Sequence, residues 1–350
     1  MTSPSTPTGG SPSVKSTDNP QISPKSEAAA ATRRQVGRVF SAIGPMIGLI
    51  AVYVLFAVIT PMETSFQFAN YKTLVLILLQ TAVVATAALG MTMIIISGGI
   101  DLTVGSNIAL CVVVITLLLK AHFSPIVAAL GGIAASGVVG LLISLLITQL
   151  RLSPFIVTLG LMGAVRGAAQ GLANDTTLYP PHLTWLDGIM VGGWVAPPGV
   201  WLTLVLAILV ALLLRYTRVG RHIFAVGSNE QTARLCGVSV NGTKIFLYTA
   251  AGVLVGLAGL LQYSYIHCGD STTAVGLELS AIAAVVIGGA SLQGGQGSVF
   301  GTIVGAMIMT TIQVGGTRVG LSNWVQEIVT GAIIIFAVAL DQWRNRKAAV

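Results

Sequence analysis

Apolar residues along this chain come in long continuous runs, not in alternation. The runs cover roughly 42–60, 73–96, 104–119, 125–149, 155–171, 199–215, 245–266, 279–293, 297–314 and 323–341. A helix needs about 20 mostly apolar residues to cross a bilayer, whereas the strands of a membrane barrel would alternate with a period of two. The pattern predicts an all-α, polytopic integral membrane protein of about ten transmembrane helices, in a domain spanning residues 42–341. Ahead of the first run, residues 1–32 hold 7 Ser, 5 Thr and 5 Pro. Such a segment cannot bury enough surface to offset its ordering entropy, so a disordered tail is expected there. It has no charged stretch leading into an apolar core, so it does not read as a signal peptide.

Composition narrows the class further. Of 350 residues, 54% are hydrophobic and only 8% charged, with a mean hydropathy of +0.87. Soluble chains carry about 25% charged residues. The balance excludes a soluble enzyme, a nucleic-acid-binding module and a disordered protein. The net charge of +7 reads as topology, because Lys and Arg collect on the cytoplasmic side of membranes. Ten spans with both termini cytoplasmic leave only Lys72, Lys120 and Arg318 in external connections. The Arg33–Arg34–Arg38 cluster, Arg151, Arg215, Arg218, Arg221, Arg234, Lys244 and the Arg344–Arg346–Lys347 cluster then face the cytoplasm.

Signs of bond-breaking chemistry are missing. There is no HExxH or GxSxG, and no Gly-Lys dipeptide from which to build a phosphate loop. The histidines have no metal-ligand spacing, and Cys111, Cys236 and Cys268 form no CxxC. No catalytic residue, cofactor or metal is expected, and no nucleic-acid partner.

Two connections are long. Residues 172–198, rich in Pro, Gly and Trp, suit an external interfacial cap. Residues 216–244 form a cytoplasmic loop in which a two-turn helix is expected at about 229–236. Ser228 and Gln231 have capping-box spacing. Glu230 and Arg234 complement the helix dipole, and Gly237 would end the helix. Ala233 and Leu235 offer apolar contacts. The segment suits either a plain connector or a docking helix for a soluble partner.

Small residues recur at helical spacing. Gly160, Gly163, Gly167 and Gly171 lie on one face of the fifth run, and Gly252–Gly256 and Gly301–Gly305 are GxxxG pairs. Both patterns allow close helix packing. The glycine-rich stretch 288–298 is too glycine-rich for a stable helix. Between the second and third runs, Ser97-Gly98-Gly99-Ile100-Asp101 breaks the helix. Asp101 there reads either as a cap on a simple turn or as an acid lining a water-filled cavity. Arg166 and Glu278 fall within runs, where ionisable groups pair or line a path. Gln80, Ser106 and Asn107 could hydrogen-bond a hydroxylated solute, or join helices.

Four stretches carry a family resemblance: Ile95–Ser106 (IISGGIDLTVGS), Pro154–Gly167 (PFIVTLGLMGAVRG), Thr217–Val238 (TRVGRHIFAVGSNEQTARLCGV) and Leu277–Gly305 (LELSAIAAVVIGGASLQGGQGSVFGTIVG). From about residue 43 onward, the chain resembles the ribose-type, simple-sugar permeases of ABC importers, a branch of the family that also holds branched-chain amino-acid permeases. The resemblance implies a multi-pass subunit in the bacterial inner membrane, importing ribose or a similar monosaccharide. It implies a cytoplasmic ATPase docked at Gly227, Asn229, Glu230, Ala233 and Gly237. It implies a second permease copy or paralogue, surrounding lipid, and a periplasmic sugar-binding protein on the outer loops. Gln80, Asp101, Ser106, Asn107, Arg166 and Glu278 are then expected to line or support the path. The family often has an acid after Glu278-Leu279; this chain has Ser280, which bears on substrate choice. The rival readings are an ion-coupled secondary transporter and an ABC permease for an amino acid or autoinducer.

Overall fold

A computed structural model of the chain describes residues 44–60, 68–192 and 196–348. The expected disordered tail at 1–32 and the Arg33–Arg34–Arg38 cluster lie outside the described residues. Among the described residues the regular structure is α-helix apart from one short 3-10 helix, Trp185–Gly188, and one bridge between Leu178 and Gly269. In order, the helices are α1 (Gly44–Ile59), α2 (Tyr71–Ile96), α3 (Val104–Lys120), α4 (Pro125–Gln149), α5 (Pro154–Ala173), α6 (Pro198–Tyr216), α7 (Arg218–Ser228), α8 (Glu230–Leu235), α9 (Val240–Ile266), α10 (Leu277–Ile287), α11 (Val299–Val319) and α12 (Asn323–Ala348).

Each apolar run holds a helix, but among the described residues the expected count of about ten spans is corrected to six. Only α2, α4, α5, α6, α9 and α11 are long and apolar enough to cross a membrane. The other four are α1, α3, α10 and the apolar part of α12, Asn323–Ala339. For α10 the reason is length. At 1.5 Å per residue, the 11 residues of α10 rise only about 16 Å, against a hydrocarbon core of about 30 Å. The run read at 279–293 merges this helix with the glycine-rich segment that ends it.

Local chemistry sets the helix ends. Pro125, Pro154 and Pro198 open α4, α5 and α6, where a missing N–H costs nothing. At the other ends, α5, α9 and α11 stop at residues with left-handed backbone, Asn174, His267 and Gly320.

The helices form two layers. Most of α2, α9 and α11 is buried, with Tyr248 and Tyr263 of α9 among the largest enclosed side chains. Around them, α4, α5 and α6 turn Leu142, Leu145, Ile156, Leu159, Ile208 and Leu209 outward, as lipid-facing helices do. Glycines set the closest approaches. A methyl group on Gly252 would lie 2.6 Å from the Ser136 carbonyl oxygen of α4, and one on Gly256 2.8 Å from Ile133 Cα. Gly301 and Gly305 of α11 press in the same way on the Gly288 and Ala284 carbonyls. The face made by Gly160, Gly163, Gly167 and Gly171 departs from the packing expectation, since no other part of the described chain lies within 4 Å of where their side chains would begin.

Candidate functional site

Two regions carry the polar chemistry: a cavity among α2, α10, α11 and α12, and the α7–α8 hairpin at one end of the bundle.

The cavity has a volume of about 660 Å³. Gln80 of α2, Glu278 and Ser280 of α10, Gln313 and Thr317 of α11, and Gln326, Glu327 and Thr330 of α12 line it. Its wall thus offers amides, hydroxyls and two carboxylates. The Gln313 amide donates to Ser280 Oγ at 3.2 Å, so Ser280 is already held by a neighbour. Glu278 sits in the first turn of α10, which opens at Gly276 with φ +79°. One Glu278 oxygen accepts from the Gly276 N–H at 3.3 Å, while Oε2 is buried without a hydrogen-bond partner. Such an atom is costly unless something else satisfies it. Gly105 of α3 packs directly on Glu278 Oε2 and the Ala274 carbonyl, so a side chain there would displace the carboxylate.

Of the six expected path residues, the structure brings Gln80 and Glu278 to the cavity wall. The other four are not among the residues that line it. Asp101 is buried in the turn between α2 and α3, and its Oδ1 accepts from the Thr103 N–H at 2.8 Å and Thr103 Oγ1 at 2.7 Å. Here its geometry is that of a turn cap. Ser106 Oγ donates to the Thr103 carbonyl at 2.9 Å, and the Asn107 amide reaches the Ser136 carbonyl of α4 at 3.4 Å. Both tie the start of α3 to its surroundings.

Arg166 differs from the carboxylate pair that its position suggested. Its Nη1 donates to the carbonyls of Ser271 and Thr273, each at 2.8 Å. The Glu278 and Asp270 carboxylates supply balancing charge. Arg166 therefore fastens α5 to the irregular segment 267–276, which leads into α10. Gln262 of α9 holds the same segment through Thr273 Oγ1 at 2.9 Å. Irregular backbone within a bundle survives only when such partners satisfy it.

Sequence reasoning missed the α11 and α12 side of the cavity. Glu327 was the available signal, an acid inside the last apolar run, with Gln313 and Gln326 nearby.

At the bundle end, the expected short helix forms as α8, but it is preceded by an unexpected helix, α7. That helix turns Ile223 and Val226 inward and leaves Arg218 and Arg221 exposed. The cap is also corrected. Ser228 is the last residue of α7 and bonds back to the Phe224 carbonyl, while Asn229 Oδ1 caps α8 by accepting from the Thr232 N–H at 2.8 Å. Asn satisfies the orphan donor without requiring a capping box. Gly237 ends α8 as expected, with φ +82° and the paired Gly237→Arg234 and Val238→Ala233 backbone bonds of a Schellman turn. Ala233 is buried against Val226 and Val240, whereas Leu235 is 88% exposed. Glu230 is engaged on both oxygens, by Arg234 at 3.3 Å and Lys244 at 2.7 Å.

Gly227 is not part of the exposed surface. It seats against the Ile96 carbonyl at the end of α2, and a methyl group added to it would lie 2.7 Å from the Gly295 nitrogen. The Gly295 N–H donates to that same carbonyl at 2.8 Å. The hairpin, the α2 break and the glycine-rich segment 288–298 therefore meet at one point.

The connection at 172–198 is tied down as well. Asp187 Oδ1 lies 3.1 Å from His267 Nδ1, and Ser264 Oγ donates to the Asp187 carbonyl at 3.2 Å. Leu178 and Gly269 exchange two backbone bonds.

Comparisons with known proteins agree with this architecture. Residues 73–338 match the family described as branched-chain amino acid transport system, permease component. Ribose import permease protein RbsC of Escherichia coli (strain K12) is 35% identical over 300 residues, 84% of this chain and 92% of that one. RbsC of Bacillus subtilis (strain 168) is 33% identical over 309 residues, 88% and 94% of the two chains. L-arabinose ABC transporter permease protein AraH of Azospirillum brasilense is 33% identical over 331 residues, 93% and 96%. No solved structure matches the chain. With three-quarters of its length matched and its helices apolar enough to span a bilayer, this polytopic membrane protein belongs to the family of branched-chain amino acid transport system permease components.

Proposed function

We propose that the chain is the permease subunit of an ABC importer that carries a simple sugar, ribose or a similar monosaccharide, across the bacterial inner membrane. The observation that carries this reading is the 660 Å³ cavity, whose amides, hydroxyls and carboxylates offer both donors and acceptors to a polyhydroxylated solute. The names of the similar permeases, for ribose and L-arabinose, point the same way. Gln80 and Glu278 contact the solute in this reading. Asp101, Ser106, Asn107 and Arg166 support the path.

Hydrolysis of ATP on a separate cytoplasmic subunit drives the cycle. That subunit docks on Asn229, Glu230 and the exposed Leu235 of α8, with both chain termini on its side of the membrane. Ala233 and Gly237 hold α8 in shape. Gly227 passes its displacement to the end of α2 and to the segment before α11, both of which lead to the cavity. A second permease copy or paralogue completes the pathway, and a periplasmic sugar-binding protein loads it over the 172–198 connection.

The test is uptake of labelled ribose and L-arabinose into proteoliposomes holding the permease, its ATPase and its binding protein. ATP-dependent uptake is expected, and Glu278→Gln is expected to lose most of it while still retaining the ATPase on purification. Uptake driven by a proton gradient without the ATPase would overturn the reading in favour of a secondary transporter.

A further inference from the structure

At the end of the bundle that carries α7 and α8 lies a second cavity, of about 310 Å³, which the proposed transport path does not use and which shares Glu230 with the proposed ATPase contact. Thr148 of α4, Arg151 of the α4–α5 turn, Glu230 and Arg234 of α8, and Asn241 and Lys244 of α9 line it. Three cations thus face one carboxylate. That carboxylate is shared between Arg234 and Lys244, and Arg151 has no ion-pair partner among the described residues. The cavity is left with excess positive charge.

Two further features sharpen the chemistry. The N-terminus of α5 opens here at Pro154, and the Ser153 side chain makes no capping bond, so the positive end of the helix dipole adds to the field. Large apolar side chains flank the mouth in exposed positions: Leu150 at 61%, Leu152 at 45%, Phe155 at 49% and Ile156 at 64%. They continue the outward faces of α4 and α5. Arg151 itself has φ +54°, a left-handed conformation that strains any residue with a Cβ. A soluble anion would satisfy the charge and leave the apolar rim in water. A molecule with an anionic head and apolar tails satisfies both.

We propose that this cavity binds the phosphate headgroup of an anionic phospholipid, with its acyl chains along Leu150, Leu152, Phe155 and Ile156. Basic pockets between helices near a membrane surface recognise such headgroups. The proposal rests on the helices spanning a bilayer and not on the identity of the transported solute.

The experiment is native mass spectrometry of the full-length permease in detergent, titrated separately with phosphatidylglycerol, phosphatidylethanolamine and inorganic phosphate. Phosphatidylglycerol is expected to remain bound and phosphatidylethanolamine to dissociate. Arg151→Gly removes the cation and relieves the backbone strain, so it is expected to fold at least as well, yet to bind phosphatidylglycerol about fivefold more weakly, the loss of one basic contact at a membrane surface. Equal retention of the two lipids, or undiminished phosphatidylglycerol binding by Arg151→Gly, would overturn the proposal. So would inorganic phosphate displacing phosphatidylglycerol at matched concentration, which would make this a free-anion site. Loss of the lipid on adding the ATPase would overturn it too, marking the cavity as a protein contact. Because none of these measurements reads transport, a failure here leaves the sugar-import reading untouched.

Discussion

The α4–α9 seam and the outer face of α5 carry the same sequence device and use it differently. Both place glycines four residues apart along an apolar helix. In the seam, Gly140, Gly252 and Gly256 let two backbones touch, with Gly140 seated on the Tyr248 carbonyl. On α5, Gly160, Gly163, Gly167 and Gly171 face open space. A small-residue pattern therefore reports that close approach is possible, not that it takes place within the chain. Inside a bilayer, where association gains little from hydrophobic burial, the distinction decides which glycines hold the fold together.

Substitutions can break or sharpen this contrast. The largest effect is expected at Gly252→Val, which drives branched atoms into the α4 backbone at Ser136. It should cost about 3 kcal/mol or more, read as a lowered melting temperature and poor recovery of monodisperse protein. Wild-type stability in that variant would mean the seam is soft. Next is Gly227→Ala, whose methyl group would meet the Ile96 carbonyl at the junction with segment 288–298. A loss of about 2 kcal/mol is expected, together with a fall in ATP-dependent uptake larger than the loss of folded protein explains. Gly237→Ala should cost about 1 kcal/mol, because its φ of +82° is strained for a residue with a Cβ. Hydrogen exchange should rise in α8 alone, and a change spreading into α9 would show that the cap does more than end a helix. The smallest effect is expected at Gly163→Ala, within about 0.5 kcal/mol of wild type. A clear drop in melting temperature there, accompanied by a change in oligomer mass, would show that the α5 face is packed against another subunit.

Much of the local structure was legible because it depends on short-range chemistry. Pro125, Pro154 and Pro198 mark helix starts, and Gly237 marks an end, since each acts through its own backbone. The cap of α8 was misread by one residue, because Ser228 and Asn229 are both good caps and only the unforeseen α7 takes Ser228 into its own last turn. The candidate site was half legible. Glu278 stood out as an acid in an apolar run, and Gln80 as an amide in another. Glu327 offered the same signal as Glu278 and was missed, while Gln313 and Gln326 stayed hidden because their role comes from three helices meeting, a relation that no spacing within one helix records. For the same reason Arg166 looked like one half of a carboxylate pair. Its partners are backbone carbonyls of segment 267–276, and every residue has those.

What the sequence alone determined is the class and the punctuation: an all-helical membrane protein, the places where helices begin and break, and the short helix at α8. These follow from hydropathy and from proline, glycine and capping residues, all of which act locally. The tertiary structure decided the rest. Among the described residues it left six helices long and apolar enough to span, and it ended α10 after 11 residues, a break that the continuous apolar run does not reveal. It set Gly227 inside a junction instead of on a surface. It divided the polar residues between a cavity wall and the scaffold, because burial and partnership are properties of neighbours far apart in the chain.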